Sequence, residues 1–298
     1  MLCSTPCVSG YFSALARLVV TLKMSCDRVK VQPICITMHA SVSECFASHH
    51  SMHTNLKEKN DNMDSLLIGH RGVAGSYPEN TKISVLAAIN LDLKWVEVDV
   101  QPTKDNVLVV CHDHTVNRCS NGQGRVDELT LDELRSLDFG GWFGDEFKGE
   151  TIMTLEELLE LAAEHNLNLN IEVKVDRHPA EPVAKLLAKV LSGNPLSSES
   201  ILLSSFSHDV IRSLFEHCKG YRLGVLSEFL TKKDQLLLEE VNAYSCNLNI
   251  NWVRSRQIKK LQQSGYKVMC YTVNNPHKLK HLPPLDGIFS DYPTRFLP

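Results

Sequence analysis

Four short clusters in this 298-residue chain hold the residue types that do acid–base, anion and metal chemistry. The first is an apolar run at 66–68 that enters a loop with His70, Arg71 and the glycines Gly69, Gly72 and Gly75, followed by Pro78-Glu79-Asn80-Thr81. An imidazole and a guanidinium beside three glycines suit an anion that approaches the backbone closely, because glycine has no Cβ to block it. The second cluster is Glu97 and Asp99, two residues apart in an otherwise apolar run. Facing solvent, such a pair is innocuous. Facing an interior, the carboxylates repel and resist ionisation unless a cation lies between them, and oxygen donors of this kind match a hard divalent ion, Mg2+ or Ca2+. The third cluster, His112-Asp113, closes another apolar run. Two histidines bracketing a carboxylate pair point towards catalysis, since imidazole exchanges protons near neutral pH. The fourth is Glu172 and Lys174, again two apart. It reads either as a same-face ion pair or as the third carboxylate of an oxygen-ligand set.

The elements that must position these groups follow from periodicity. Residues 95–100 alternate strictly, which on a strand puts Trp95, Glu97 and Asp99 on one face and three valines on the other. Residues 107–113 form a further apolar strand after a turn too short for a parallel crossover, so a hairpin is expected there. Residues 114–151 are rich in glycine and charge, contain a helix-like 131–137, and read as an insertion. Thr154 with Glu157 three residues on makes a capping box for a helix through 163. From 167 onward strands (167–175, 201–206, 221–226, 246–250, 267–273, 287–290) alternate with helices at 208–218, 232–241 and 255–264. That order predicts an α/β fold of parallel βαβ units, with nine strand candidates in all.

Composition bounds the rest. At 43% hydrophobic and 22% charged the chain is globular and can bury a large core. A net charge of −4 and a pI near 6.3 give no basic stripe, so no nucleic-acid partner is expected. Of ten cysteines, five lie in residues 1–64 and five are scattered singly, without a Cys-x-x-Cys pair, which reads as a reducing, cytoplasmic compartment. The apolar stretch 11–22 is short and interrupted by Arg17, poor as a membrane span or signal peptide, so no stable membrane insertion is expected. Residues 1–64 are read as an N-terminal extension, with Met63 a plausible working start. The 236 residues that follow 1–62 approach the usual size of a single (β/α)8 barrel, about 250.

Taken together, His70-Arg71-Gly72, Pro78-Glu79-Asn80-Thr81, Glu97-x-Asp99, His112-Asp113, Glu172-x-Lys174, Ser205-Phe206 and the stretch from Asp286 to Pro293 resemble the glycerophosphodiester phosphodiesterase family, in the family's order from about residue 66 to the C-terminus. The resemblance implies a (β/α)8 TIM barrel over 65–298 with a small insertion after the His-Asp motif, here 114–151. It implies a divalent cation, Mg2+ or Ca2+, and a small-molecule glycerophosphodiester substrate cleaved to sn-glycerol 3-phosphate and an alcohol. Carried over by motif, His70 and His112 would be the acid/base pair, Glu97, Asp99 and Glu172 the metal ligands, and Arg71 and Lys174 the phosphate-binding cations. Tyr271 stands where the family usually has Trp, and Met153 where Pro is common. Rival readings are a sphingomyelinase D-like or lysophospholipase D-like lipid phosphodiesterase, and a barrel that only binds glycerophosphodiesters. The first is disfavoured by the lack of a convincing signal peptide, the second because no histidine or carboxylate of the set is missing.

Overall fold

Short runs of Leu, Ile and Val between polar turns supply the strands. The computed structural model describes residues 65–298, so the readings made on residues 1–64 lie outside the described residues. The strands are β1 (Leu66–His70), β2 (Trp95–Pro102), β3 (Leu108–Val110), β4 (Asn168–Val173), β5 (Ile201–Ser205), β6 (Arg222–Ser227), β7 (Ser245–Asn249), β8 (Lys267–Tyr271) and β9 (Gly287–Ser290). Eight of them run parallel, and because β1 pairs with both β2 and β9 the sheet closes into a barrel. β3 is the ninth, antiparallel to β2, the hairpin strand expected from the short turn.

The helices between the strands are α1 (Lys82–Asn90), α2 (Leu131–Arg135), α3 (Leu155–Glu164), α4 (Ala180–Ser192), α5 (His208–His217), α6 (Lys232–Glu240) and α7 (Ser255–Gln263). α2 belongs to the insertion, and the β8–β9 connection carries only the single turn Pro276–Leu279. Outward-facing Val96, Val98 and Val100 join Val85, Ala88 and Leu158 in the main core between sheet and helices. Inside the barrel, Ile68, Leu202, Met269 and Phe289 form a separate plug. The insertion packs its own core of Val116, Val126, Leu134 and Phe139 against Val109 and Cys111. Among the described residues, no helix is long and apolar enough to cross a membrane.

Three local readings change. The strand expected over 107–113 is only three residues long. The Cys111 N–H still donates to the Asp99 carbonyl, but the Cys111 and Asp113 carbonyls accept from Gln101 Nε2, and His112 lies beyond the strand end. Lys174 likewise lies one residue past β4. α4 has no counterpart in the sequence reading. Its amphipathic side is Val183, Ala184, Leu187 and Leu191, and its prolines Pro179 and Pro182 sit at the cap and in the first turn, where the missing N–H costs nothing.

Register is what matters for the site. Pairing places His70 beside Glu97 and Glu97 beside Asn170 in one row, then Asp99 beside Glu172 in the next. α3 begins with the expected capping box, the Glu157 N–H donating to Thr154 Oγ1 and the Thr154 N–H to Glu157. Thr154→Ala should cost about 1 kcal/mol, lowering Tm by about 2–4 °C in a domain of this size. Calorimetry that found an unchanged Tm would remove the cap from the account.

Candidate active site

β1 delivers His70 to the barrel mouth, and the chain then turns sharply through Arg71 at φ +52° and Gly72 at φ +85°. Ser84 of α1 fastens the turn, its Oγ accepting from the Val73 N–H and donating to the Arg71 carbonyl. A Cβ on Gly72 would lie 2.3 Å from Ser84 Oγ, and one on Gly69 would lie 2.3 Å from the Gly72 carbonyl oxygen. These two glycines let the loop pack on itself and on α1.

The carboxylates on β2 and β4 face the barrel interior. Glu97, Asp99 and Glu172 are 3%, 0% and 8% exposed, and each offers an oxygen within 4.8 Å of the others. Two cations stand against them. Arg71 Nε is 3.1 Å from Asp99 Oδ2, while Lys174 Nζ is 3.2 Å from Asp99 Oδ1 and 2.5 Å from Glu172 Oε1. Asn80, from the Pro-Glu-Asn-Thr turn, donates through Nδ2 to Asp99 Oδ2 at 2.9 Å. The Arg71 main-chain N–H donates to Glu97 Oε2 at 3.2 Å, but Glu97 Oε1 faces no donor among the described residues.

The protonation equilibria diverge accordingly. Burial opposes ionisation of Asp99, yet Lys174 and Arg71 overrule it and hold the carboxyl below its ordinary range. Burial and then repulsion from Asp99 and Glu172 push Glu97 up, and burial followed by Asp99 raises Glu172 to about 7. Asp99 is the carboxylate that the fixed cations keep ionised. A third charge of the same sign is not accommodated by protein groups alone. Three crowded oxygen donors, one of them unpartnered, fit a hard divalent cation, so this triad could bind a metal.

Both histidines are held from behind. His70 Nδ1 lies 2.6 Å from Asp291 Oδ1, and Asn274 in turn fixes Asp291 through its Nδ2 at 2.6 Å and by accepting the Asp291 N–H. His112 Nδ1 lies 2.7 Å from Asp113 Oδ1. An ionised carboxylate only accepts, so Nδ1 carries the proton in each ring and Nε2 is left open. His70 Nε2 points at Glu97 Oε2, 3.8 Å away. Asp113 stays well below the usual carboxylate range, through the hydrogen bonds of Arg118 first and His112 second. Glu79 accepts from Arg71 NH1 at 2.7 Å.

The seven side chains singled out from sequence therefore meet at one mouth. The reading gave no role to Glu79, Asn80, Asp113, Asn274 or Asp291, although four of these lie in quoted motifs. Arg118 carried no local signal at all, being one arginine in a polar insertion. The mouth encloses about 170 Å3 and is lined by His70, Arg71, His112 and Lys174 together with Phe206, Leu226 and Tyr271. A larger groove of about 740 Å3 opens near Arg222, Tyr244 and Lys267. It is lined by a single carboxylate and no histidine, so the acid–base and metal-binding side-chain types gather at the smaller site instead.

The model of the glycerophosphoryl diester phosphodiesterase family matches residues 70–295. The chain belongs to that family. A glycerophosphodiester phosphodiesterase from Caldanaerobacter subterraneus is 32% identical over 237 residues, 79% of this chain and 97% of that one. One from Bacillus altitudinis is 30% identical over 234 residues, covering 77% and 95%. The solved structure of an Oleispira antarctica phosphodiesterase in complex with the product sn-glycerol-3-phosphate matches with a TM-score of 0.73 at 31% identity, covering 77% of this chain and 94% of that one. Like its relatives, this family member is a phosphoric diester hydrolase, and its reaction is the hydrolysis of glycerophosphodiesters.

Burial, helped by Arg71 and Lys174, lowers the pKa of His112 against the opposing pull of Asp99 and Asp113. In this phosphodiesterase the site thus favours the neutral ring of His112. A 2D NMR titration of the chelated protein should place the His112 midpoint below the ordinary value of about 6.5. A midpoint above it would show that the carboxylates outweigh burial.

Proposed function

We propose that the pocket cleaves a glycerophosphodiester to sn-glycerol 3-phosphate and an alcohol, with His70 and His112 as the acid–base pair. In this reading Arg71 and Lys174 hold the phosphate, and Glu97, Asp99 and Glu172 hold Mg2+ or Ca2+. The observation that carries it is the charge balance at the mouth. Three carboxylates against the two cations Arg71 and Lys174 leave an excess negative charge, which a divalent cation and a monoanionic phosphodiester together bring to neutrality. When bound, such a cation supplies Lewis-acid stabilisation to the charge that grows on the phosphoryl oxygens.

The protein's own groups do the rest. Arg71 and Lys174 face the phosphate from the carboxylate side, offsetting the negative charge that repels a nucleophile. One imidazole, with Nε2 free, accepts the proton of the attacking group, and the other enters the step protonated on both nitrogens and gives its Nε2 proton to the departing alkoxide, while Asp291 and Asp113 hold the Nδ1–H of each ring. The aromatic wall of Phe206 and Tyr271, packed edge to face at 5.6 Å, borders the alcohol side. The product bound in the Oleispira antarctica relative supports release of sn-glycerol 3-phosphate. The reaction then serves glycerophospholipid and glycerol metabolism, within a catalytic domain at 65–298 preceded by an extension at 1–64. Five buried free thiols, Cys111, Cys119, Cys218, Cys246 and Cys270, support a reducing, cytoplasmic setting.

His70→Ala and His112→Ala should each fold normally and lose activity by a factor on the order of 100 or more. Near-normal turnover in both would refute the acid–base assignment. Glu172→Gln should raise the cation concentration needed for half-maximal activity, and an unchanged activation curve would remove Glu172 from the ligand set.

A further inference from the structure

Arg118 lies in the 114–151 insertion, and its guanidinium forks onto two carboxylates at once. Nε and NH2 donate to Asp113 at 2.7 and 3.0 Å, and NH1 and NH2 donate to Glu79 at 2.7 and 2.8 Å. Each of those carboxylates has a second partner in the site. Asp113 accepts from His112, and Glu79 accepts from Arg71. The two segments that bring them here, the loop after β1 and the chain beyond β3, share no backbone pairing at these residues. One planar guanidinium therefore ties the ring of His112 to the phosphate-facing Arg71. A lysine ammonium, a point charge without a fork, does not span two carboxylates in this way.

The insertion is built to hold Arg118 in place. Val116 is buried in its small core with Val126, Leu134 and Phe139, Ser120 Oγ donates back to the Val116 carbonyl, and Thr115 bridges to Arg125. Arg118 itself is 45% exposed in its side chain, so its ion pairs are screened and add little to stability. Their effect falls on geometry. Without the guanidinium, Asp113 and Glu79 are two neighbouring anions that repel. Glu79 is then free to close fully on Arg71, and Asp113 no longer has a fixed direction in which to hold His112.

We propose that Arg118 is a positioning residue that sets His112 and Arg71 in one frame for phosphodiester cleavage, and that through it the insertion is part of the active site. The proposal rests on the roles given above to His112 and Arg71.

The test uses the full chain, cation-saturated, with glycerophosphocholine as substrate. Arg118→Gly should lower kcat by about 10- to 100-fold, as expected when a reacting group is misplaced by a fraction of an ångström to one ångström. KM should rise several-fold through Arg71, with Tm close to that of the wild type. Millimolar guanidinium should restore much of the loss in Arg118→Gly and none in His112→Ala, and Arg118→Lys should recover less than guanidinium does. In the His112→Ala background, Arg118→Gly should reduce kcat no further. Wild-type kcat and KM in Arg118→Gly would overturn the proposal, as would a loss that guanidinium leaves untouched and that tracks a fallen Tm. His112→Ala separates the two failures. Near-normal turnover there defeats the acid–base reading and this proposal with it, whereas loss there beside a fully active Arg118→Gly defeats this proposal alone.

Discussion

The structure turns on crowding three carboxylates, Glu97, Asp99 and Glu172, within 4.8 Å of one another inside a barrel. At that separation and an effective dielectric of 20, two like charges repel by about 3 kcal/mol. Burial makes matters worse by withdrawing water. The surrounding elements answer this one constraint. The turn after β1 brings Arg71, the end of β4 brings Lys174, and the Pro-Glu-Asn-Thr turn brings Asn80 to donate to Asp99. Only Asp99 is fully served by these groups, and Glu97 and Glu172 are left with raised pKa values that a bound cation would reverse.

The barrel supplies the remaining order through register. Parallel pairing aligns His70 with Glu97 and Asp99 with Glu172, so residues distant in sequence become neighbours without any loop having to search for the geometry. Behind this row stands a second set that orients it: Asp291 and Asn274 behind His70, Asp113 behind His112, and Glu79 behind Arg71. The candidate groups lie at strand ends and just beyond, where loops from β1, β3, β4 and β9 converge on a mouth that Phe206 and Tyr271 also line.

What was legible in the sequence is what depends on neighbours a few residues apart. Alternation in 95–100 put Glu97 and Asp99 on one face, and the same period on β4 added Glu172. The short turn before β3 marked the hairpin, and Thr154 with Glu157 marked the start of α3. Through-space partnerships were not legible. Arg118 meets Glu79 across 39 residues, and nothing local distinguishes it from any solvated arginine. α4 has no counterpart in the sequence reading, and its prolines Pro179 and Pro182 fall at the cap and in the first turn, which tolerates them. The packing role of Gly69 and Gly72 was not legible either, because the atoms they make room for, the loop's own backbone and Ser84, become neighbours only on folding.

The central claim is that a buried acidic triad, completed by a divalent cation, drives glycerophosphodiester hydrolysis at this mouth. The most direct measurement is a coupled assay for sn-glycerol 3-phosphate released from glycerophosphocholine and other glycerophosphodiesters, with and without EDTA and with Mg2+ or Ca2+ added back. The account predicts release that EDTA abolishes and one of the two cations restores. Release undiminished by the chelator, or no release from any glycerophosphodiester, would contradict it.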